Sequence, residues 1–316
     1  MGVMVVRWLV LFLAFPLVAA GQETLDITLL GTGNPRPSME RFGPSILVEA
    51  GDTSILIDVG RGAIQRLFQI GQAEQVRAVD MVLFTHLHSD HVVGFPDFWL
   101  SGWIFGRSRP LPVIGPPGTE DMCSHLERAF AFDKKVRGRD QRFSAAGIVL
   151  EVRDVEPSVI YEADGVRVTA FAVDHGVGIE PAYGYRVDFG DYSAAFSGDT
   201  RYYEPIVEHA KGVDVLVHEV VSAEIERRRA EVQGPAAVER VIAHHASEEQ
   251  AGTIFSRVKP RLAVYSHIVP SPATAEDLIP PTRRTYDGPL VVGYDLMKIT
   301  IGETIEVHRR RIVSDR

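Results

Sequence analysis

Short apolar runs closed by Gly, Pro, Asn or Asp recur along almost the whole chain, and this pattern predicts many β-strands. In the first half the predicted strands are residues 25–30, 45–49, 54–58, 81–84 and 111–114. In the second half they are residues 149–152, 159–161, 166–173, 183–188, 193–197 and 262–266. The turn Gly51-Asp52 joins the second and third strands, so the first three are expected to form an antiparallel meander.

Apolar residues at helical spacing occupy several of the segments between these strands. They predict helices at 63–70, which should end at Gly71, at 96–105 and at 119–132. Residues 223–243, rich in Glu and Arg, predict a helical connection that either caps a substrate or forms a solvated helix pair. Strands followed by helices in both halves predict an α/β (α+β) fold. The expected architecture is an αββα sandwich, in which two mixed sheets pack face to face with helices outside.

Aromatic side chains are concentrated in and beside the helix predicted at 96–105. Phe95, Phe98, Trp99 and Trp103 either line a substrate pocket or pack in the core. Core packing is the preferred interpretation, because aromatic residues at helical spacing usually face the interior.

The first twenty residues differ from the rest of the chain. Arg7 is followed by an apolar stretch, and Val18-Ala19-Ala20 is a small-residue cleavage site before Gly21. This pattern predicts a secretory signal peptide at 1–20, a single domain at 21–316, and export to the periplasm or beyond the cell. An uncleaved anchor is the competing interpretation, although the apolar stretch is shorter than the roughly 20 residues that span a bilayer. No membrane span is expected after cleavage.

Composition narrows the choice of partners and of redox chemistry. The formal net charge of -9 at pH 7 argues against general attraction to nucleic acid, so no stable nucleic-acid partner is expected. The chain has one cysteine, Cys123, which excludes an internal disulfide, a zinc site built on several thiolates and a paired-cysteine redox centre.

The most informative stretch follows directly after the strand predicted at 81–84. His86, His88, Asp90 and His91 stand close together there. Side chains at i and i+2 of an extended segment point the same way, so His86 and His88 can bind one ion together. A single histidine is usually structural. Here three histidines and one aspartate lie at one strand end, and each would need a separate hydrogen-bond partner if no metal bound them. The H-x-H-x-D-H pattern resembles the signature of the metallo-β-lactamase superfamily. Members of that superfamily have an αββα sandwich fold, which agrees with the architecture expected here.

Three further predicted strands lead to metal-capable residues, namely His175, Asp199 and His267. The sequence around Asp199 is also ordinary turn chemistry, and alone it would not indicate a ligand. With the resemblance, nitrogen and oxygen donors without thiolate imply two Zn²⁺ ions, with Mn²⁺ or Fe²⁺ as alternatives. One ion would be bound by His86, His88 and His175, the other by Asp90, His91 and His267, and Asp199 would bridge them.

Within the superfamily the chain is most similar to the ribonuclease Z branch and its secreted relatives, over nearly all of residues 25–300. The similar segments include ITLLGTGNPRPS at Ile27, LIDVG at Leu56, THLHSDHVVGFPDF at Thr85, FSGDT at Phe196 and HASEEQAG at His245. This resemblance implies that Asp90 is a general base as well as a ligand. It also implies that His245, supported by Glu219, protonates the leaving group. His244 is the alternative, and a carboxylate partner is expected to raise the pKa of the histidine concerned.

Two features depart from the tRNA-processing members of that branch. Their bacterial forms carry a long basic arm between the residues that match His175 and Asp199, whereas this chain has room there only for a loop and two strands. The predicted export also separates the protein from tRNA. Both features argue against cleavage of precursor tRNA and leave the hydrolase site intact.

The combined expectation is an exported dinuclear metal-dependent hydrolase, in which a hydroxide that bridges the ions attacks a phosphodiester. Hydrolysis of a lactone, a β-lactam or an aryl sulfate at the same site is the alternative within enzymes. A metal-stabilised binding protein without catalysis is the alternative outside them. The partner is expected to be a small molecule or a phosphodiester, and no motif indicates or excludes a homodimer.

Overall fold

The computed structural model describes residues 24–312 of the chain. The strands of this segment are β1 (Leu25–Gly31), β2 (Ser45–Ala50), β3 (Thr53–Ile57), β4 (Met81–Leu83), β5 (Leu111–Gly115), β6 (Leu150–Asp154), β7 (Val159–Ala163), β8 (Val166–Val173), β9 (Ala182–Phe189), β10 (Tyr192–Phe196), β11 (Val215–Val221), β12 (Leu262–Val269), β13 (Leu290–Val292), β14 (Met297–Ile301) and β15 (Ile305–Arg309). Its helices are α1 (Ala63–Ala78), α2 (Ser89–Val92), α3 (Phe95–Ile104), α4 (Thr119–Ala129), α5 (Ala131–Asp140), α6 (Ile206–His209), α7 (Ala223–Arg227), α8 (Ala230–Gln233), α9 (Pro235–Ala243), α10 (Glu248–Val258) and α11 (Ala275–Thr282).

The strands form two mixed sheets that pack face to face. The first has eight strands in the order β15-β14-β1-β2-β3-β4-β5-β6, and the second has seven in the order β13-β12-β11-β10-β9-β8-β7. In the first sheet β1, β2 and β3 are antiparallel, as the predicted meander requires, and β3 to β6 are parallel. In the second, β7 to β10 are antiparallel and β10 to β13 are parallel. The predicted αββα sandwich is confirmed.

Alternation along the central strands fills both faces of each sheet. In β3, Ile55 and Ile57 point into the layer between the sheets, whereas Leu56 points to the helices outside. In β11, Val217 points into the layer between the sheets and Leu216 points to the helices outside. Because successive side chains of a strand face opposite sides, a strand buried on both faces has a continuous apolar sequence. The result is one core between the sheets and one beneath each helical layer.

The four aromatic residues near the motif are buried, and three of them, Phe95, Phe98 and Trp99, belong to the core between the first sheet and its helices. Phe95, Phe98 and Trp99 are fully buried, and Trp103 is 2% exposed. The indole nitrogens of Trp99 and Trp103 donate hydrogen bonds to backbone carbonyls at 3.0 and 2.8 Å. Such partners allow indoles to be buried, and the preferred core interpretation is confirmed.

Two helices differ from their predicted extents. α1 continues beyond Gly71, where it was expected to end, because helical geometry is interrupted only at Gly71 and Gln72 and then resumes. The resumed part buries Val76 against the core, which favours the continuation. The helix predicted over 119–132 is two helices, α4 and α5. They meet at Phe130, whose φ of -98° and ψ of 15° depart from helical values.

Other connections follow the prediction in part. Residues 223–243 are helical, but they form the three short helices α7, α8 and α9, and the segment between His175 and Asp199 holds a loop, β9 and β10. Among residues 24–312, no helix has the length and apolarity needed to cross a bilayer. The signal peptide expected at 1–20 lies outside the described residues, so export and a single domain over 21–316 stay predictions.

Candidate metal centre

The seven residues predicted to bind metal meet at one end of the sandwich, where β4, β8, β10 and β12 carry them. Candidate ligand atoms lie within 4.8 Å of one another in three groups, which are His86, His88 and His175; His86, His91 and Asp199; and Asp90, His91 and His267. The fold therefore brings together side chains from four strands that are distant in the sequence.

The loop after β4 directs all four residues of the motif to one region. His88 is the N-cap of α2, with an extended φ of -63° and ψ of 147°. Asp90 and His91 follow in the helical turn and are 6% and 1% exposed. His86 is also buried, and its ring centroid lies 4.7 Å from that of His88. An extended step followed by a turn thus places the side chains as their spacing predicted.

His267 reaches the centre through a β-bulge. β12 was expected to end before this residue, but the strand continues to Val269, so that prediction was wrong. Two residues of β12, Ser266 and His267, lie opposite Glu219 of β11, and His267 has a positive φ of 43°. A bulge changes the direction of a side chain without ending the strand. Here it turns the imidazole towards the other candidate ligands.

Asp199 lies between the two histidine groups. Its Oδ2 is 3.3 Å from His91 Nε2, 3.2 Å from His267 Nε2 and 3.7 Å from His175 Nε2. Burial alone would raise the pKa of Asp199, but the imidazoles, His267 and His91 first, hold it well below its ordinary range. Burial alone would lower the pKa of His91, but Asp199 and Asp58 raise it well above its ordinary value. This is the position that a carboxylate bridging two ions would take.

Several buried polar atoms here have no hydrogen-bond partner in the described part of the chain. They include His86 Nε2, His91 Nε2 and Asp199 Oδ1. An unpaired buried polar group costs roughly 1–3 kcal/mol, so a convergent set indicates that a cation completes the site. Imidazole nitrogen and carboxylate oxygen suit Zn²⁺, and after it Mn²⁺ or Fe²⁺. The donor set therefore fits a divalent metal.

Asp58 contacts a candidate ligand and was not identified from the sequence. It was assigned to a strand at 54–58, but β3 ends at Ile57, and Asp58 has a φ of 57°. Asp58 Oδ2 lies 2.7 Å from His91 Nδ1, and the carboxylate also accepts hydrogen bonds from the N–H and hydroxyl of Thr85, each at 2.8 Å. This partner favours a proton on Nδ1 and leaves Nε2 of His91 for a metal. A carboxylate at the end of the strand beside the motif was the signal that could have identified it.

His245 and Glu219 form a pair beside the centre. His245 Nδ1 lies 3.1 Å from Glu219 Oε2, and Glu219 Oε1 accepts a hydrogen bond from the N–H of Ala246 at 2.7 Å. The expected partnership is present, but the expected rise in pKa is wrong, because burial lowers the pKa of His245 to about 4. Burial, together with nearby Asp199, raises the pKa of Glu219 well above its ordinary value. Both shifts favour a neutral pair.

Distance alone does not separate this pair from the metal ligands. Candidate ligand atoms of His245 also group with those of His175 and Asp199, and with those of Glu219 and His267. Since Glu219 contacts Nδ1 of His245, only Nε2 of that ring remains for the site. His244 also lines the cavity, and its backbone carbonyl accepts a hydrogen bond from His175 Nδ1 at 2.9 Å. Its ring centroid lies 6.0 Å from that of His175, against 5.2 Å for His245, and it belongs to none of these ligand groups. The structure therefore favours His245 over His244 beside a reacting group.

A cavity of about 400 Å³ opens in front of the centre. Its floor is formed by His88, Asp90, His175, Asp199, His245 and His267. Its outer wall combines the loop 34–37 with residues of 223–243, which we call the helical cap. Of the two expectations for that segment, a position over the site is the one observed.

Comparisons with known proteins identify the family and support the fold. A family model described as "Beta-lactamase superfamily domain" matches residues 53–268, more than half of the chain. Ribonuclease Z of Mycobacterium bovis (strain BCG / Pasteur 1173P2) is 32% identical over 292 residues, which cover 91% of this chain and 100% of the relative. The chain belongs to the β-lactamase superfamily, in its ribonuclease Z-like branch. This membership confirms the predicted class, an enzyme that is a metal-dependent hydrolase.

Solved structures support the fold at lower sequence identity. The metallo-β-lactamase fold protein YhfI from Bacillus subtilis has a TM-score of 0.68 at 17% identity, covering 88% of this chain and 100% of its own. The short form of human tRNase Z has a TM-score of 0.65 at 18% identity, covering 87% of this chain and 98% of its own. At such identities the likeness establishes the architecture and leaves the substrate open.

Proposed function

We propose that the protein is an exported hydrolase of phosphodiesters whose site holds two divalent metal ions, Zn²⁺ first among them. The observation that supports this most is Asp199, whose carboxylate lies near His175 on one side and near His91 and His267 on the other. Two ions bound there would lower the pKa of a shared water towards roughly 7 and neutralise charge on a scissile phosphate. The ribonuclease Z relatives favour a phosphodiester over other esters.

In this proposal Asp90 and His245 divide the proton transfers. Asp90 Oδ2 lies 3.3 Å from His267 Nε2, and the carboxylate accepts the proton of the attacking water. His245 donates a proton from Nε2 to the leaving oxygen, while Glu219 holds the ring through Nδ1. A pKa of about 4 keeps free His245 mostly neutral, and the negative charge of a bound phosphodiester favours its protonated form.

We further propose a small phosphodiester, not precursor tRNA, as the substrate. The net charge of -9 does not favour binding of a long polyanion. Only a loop, β9 and β10 separate His175 from Asp199, so this connection offers no extended arm for an RNA body. The helical cap also narrows the approach to the floor.

Turnover of a substrate panel by the purified, zinc-loaded protein tests the proposal. The panel contains bis(4-nitrophenyl) phosphate, a homoserine lactone, a β-lactam, an aryl sulfate and a precursor tRNA. We expect the highest kcat/KM with the aryl phosphodiester. Activity only on the lactone and the β-lactam would show that the enzyme attacks a carbonyl carbon and not a phosphorus atom. Tight metal binding without turnover of any substrate would favour a binding protein instead.

Export has its own test. N-terminal sequencing of protein from the periplasmic or culture fraction should give a chain that begins at Gly21. A chain that keeps residues 1–20 and sediments with membranes would support the uncleaved anchor and contradict cleavage.

A further inference from the structure

The outer wall of the cavity carries two arginines and one carboxylate. Arg36 belongs to the loop 34–37, whereas Arg229 and Glu226 belong to the helical cap. Glu226 is 2% exposed, and its two oxygens accept hydrogen bonds from Arg229 Nη1 at 3.1 and 3.4 Å. The charge of Arg229 is therefore compensated within the cap.

Arg36 has no such partner. Among residues 24–312 its guanidinium forms no hydrogen bond and no ion pair, although the residue is only partly exposed. Arg36 lies near enough to Glu226 to oppose the effect of burial, which raises the pKa of that carboxyl. The one carboxylate of the outer wall is already paired with Arg229, so Arg36 is a cation available to a ligand.

The loop that carries Arg36 is fixed in place. The N–H of Arg36 donates a hydrogen bond to Asn34 Oδ1 at 3.1 Å. Asn34 is 3% exposed, and its Nδ2 donates to the backbone carbonyl of Ile268 at 2.8 Å. Ile268 directly follows His267, so the loop is anchored beside a floor residue. The position of Arg36 is thereby tied to the position of the candidate metal centre.

We propose that Arg36 is a substrate-recognition residue that binds an anionic group of a small phosphodiester, with the helical cap forming the opposite wall. This rests on the proposed function and adds a chemical class to it, since the planar guanidinium donates two parallel hydrogen bonds to phosphate or carboxylate oxygens. The preferred substrate is then small enough for the cavity and negatively charged where it meets the wall. A neutral ester would gain nothing from Arg36.

Steady-state kinetics of Arg36→Met tests this role. Loss of a charge-assisted hydrogen bond should raise KM for bis(4-nitrophenyl) phosphate roughly 10- to 100-fold. The kcat should stay within about twofold, because the group binds ground and transition states alike. KM for the neutral ester 4-nitrophenyl acetate should not change, and Arg36→Lys should recover part of the loss.

Arg228→Met is the matched control, since Arg228 is an exposed arginine of the cap that pairs with Glu224 and does not line the cavity. It removes the same charge and should leave both KM values within about twofold. An equal rise in KM for the phosphodiester in Arg36→Met and Arg228→Met would overturn a specific role for Arg36. So would a rise in KM for the neutral ester as large as that for the phosphodiester.

A binding measurement separates this inference from the proposed function. Isothermal titration of phenyl phosphate into the zinc-loaded proteins should give a weaker Kd for Arg36→Met by a similar factor. Glu226→Gln should bind phenyl phosphate more tightly, because it frees Arg229. If wild type hydrolyses no phosphodiester yet shows this pattern, the proposed function fails and Arg36 stands as an anion-binding residue. An unchanged Kd in Arg36→Met would overturn its role whatever the turnover.

Discussion

The floor and the outer wall of the cavity are held in different ways. Most floor side chains follow the ends of strands in two packed sheets, and four of them are buried, with Asp199 3% and His175 2% exposed. The wall is a loop and a cap whose helices have five, four and nine residues. Isolated helices shorter than about 12 residues are marginal in water, so the cap depends on contacts with the body. In the proposed function, bond chemistry would therefore rest on the part of the fold held by the sheets, and recognition on the part built from a loop and short helices.

The largest effect should come from breaking the floor at Asp199. In Asp199→Ala two cations would face each other with less compensating negative charge, so at least one should be lost and turnover should fall below detection. Metal content measured by mass spectrometry beside wild type and Asp191→Ala, an exposed aspartate at the β9–β10 turn, checks this. The floor is wrongly assigned if Asp199→Ala binds two equivalents and retains normal activity.

Removing His245 should leave the metal and slow the reaction. The residue is proposed to protonate the leaving group, and loss of a general acid lowers kcat by roughly 10²- to 10⁴-fold. His245→Ala should therefore keep the metal content of wild type. His125→Ala, which changes a histidine with a 64% exposed side chain, is the control. Loss of metal in His245→Ala would show that this histidine is a metal ligand and would contradict its role as a proton donor.

Substitution of Asp58 tests whether its contact with His91 contributes to metal affinity. Asp58→Asn keeps the shape but loses the charge that orients His91, so metal affinity should fall roughly 10- to 100-fold. Competition with a chromophoric chelator measures the change, and Asp52→Asn in the exposed turn between β2 and β3 is the control. An affinity equal to that of wild type would show that Thr85 and packing hold His91 without this carboxylate.

A smaller effect is expected from the wall. Gly234 joins α8 to α9 with a φ of 80° and a ψ of 142°, and a Cβ there would meet no atom within 4 Å. Gly234→Ala should therefore act only through backbone strain of about 1–3 kcal/mol. Faster tryptic cleavage in the cap and a few-fold change in KM are expected, with unchanged metal content. Gly138→Ala, at an open helical position in α5, should do neither.

The smallest effect should be found far from both floor and wall, at Cys123. This thiol is fully buried in α4, and burial raises its pKa to about 12. At pH 8 Ellman's reagent should react with it only slowly in the folded protein and rapidly in guanidinium chloride. Cys123→Ser should keep the kcat of wild type. Rapid modification of the folded protein would show that this helix opens readily.

Features that depend on local pattern were predicted well from the sequence. The run at 81–84 is buried, and the spacing of His86, His88, Asp90 and His91 determines their directions, since both properties need only neighbouring residues. The antiparallel meander of β1, β2 and β3 followed from the short turn between the second and third strands. These are the relations that hydrophobic periodicity and turn chemistry describe.

Several features that depend on distant partners were missed. The bulge at His267 exists because two residues of β12 oppose Glu219 of β11, which no local pattern reveals. The hydrogen bonds of Asp58 need Thr85 and His91 across a strand pair. The low pKa of His245 arises from burial, which a sequence does not display. Each property emerges only when the sheets are assembled.

The candidate ligands come from both sheets, and this has a consequence for assembly. β4 belongs to the first sheet and supplies four of them, whereas β8, β10 and β12 belong to the second and supply His175, Asp199 and His267. An ion held by both sets is a cross-link between the halves of the sandwich, in a chain whose single cysteine allows no internal disulfide. The ion can bind both sets only after the two sheets have packed together. The concentration of free metal in the compartment where the chain folds would then determine how stable the packed sandwich is against unfolding.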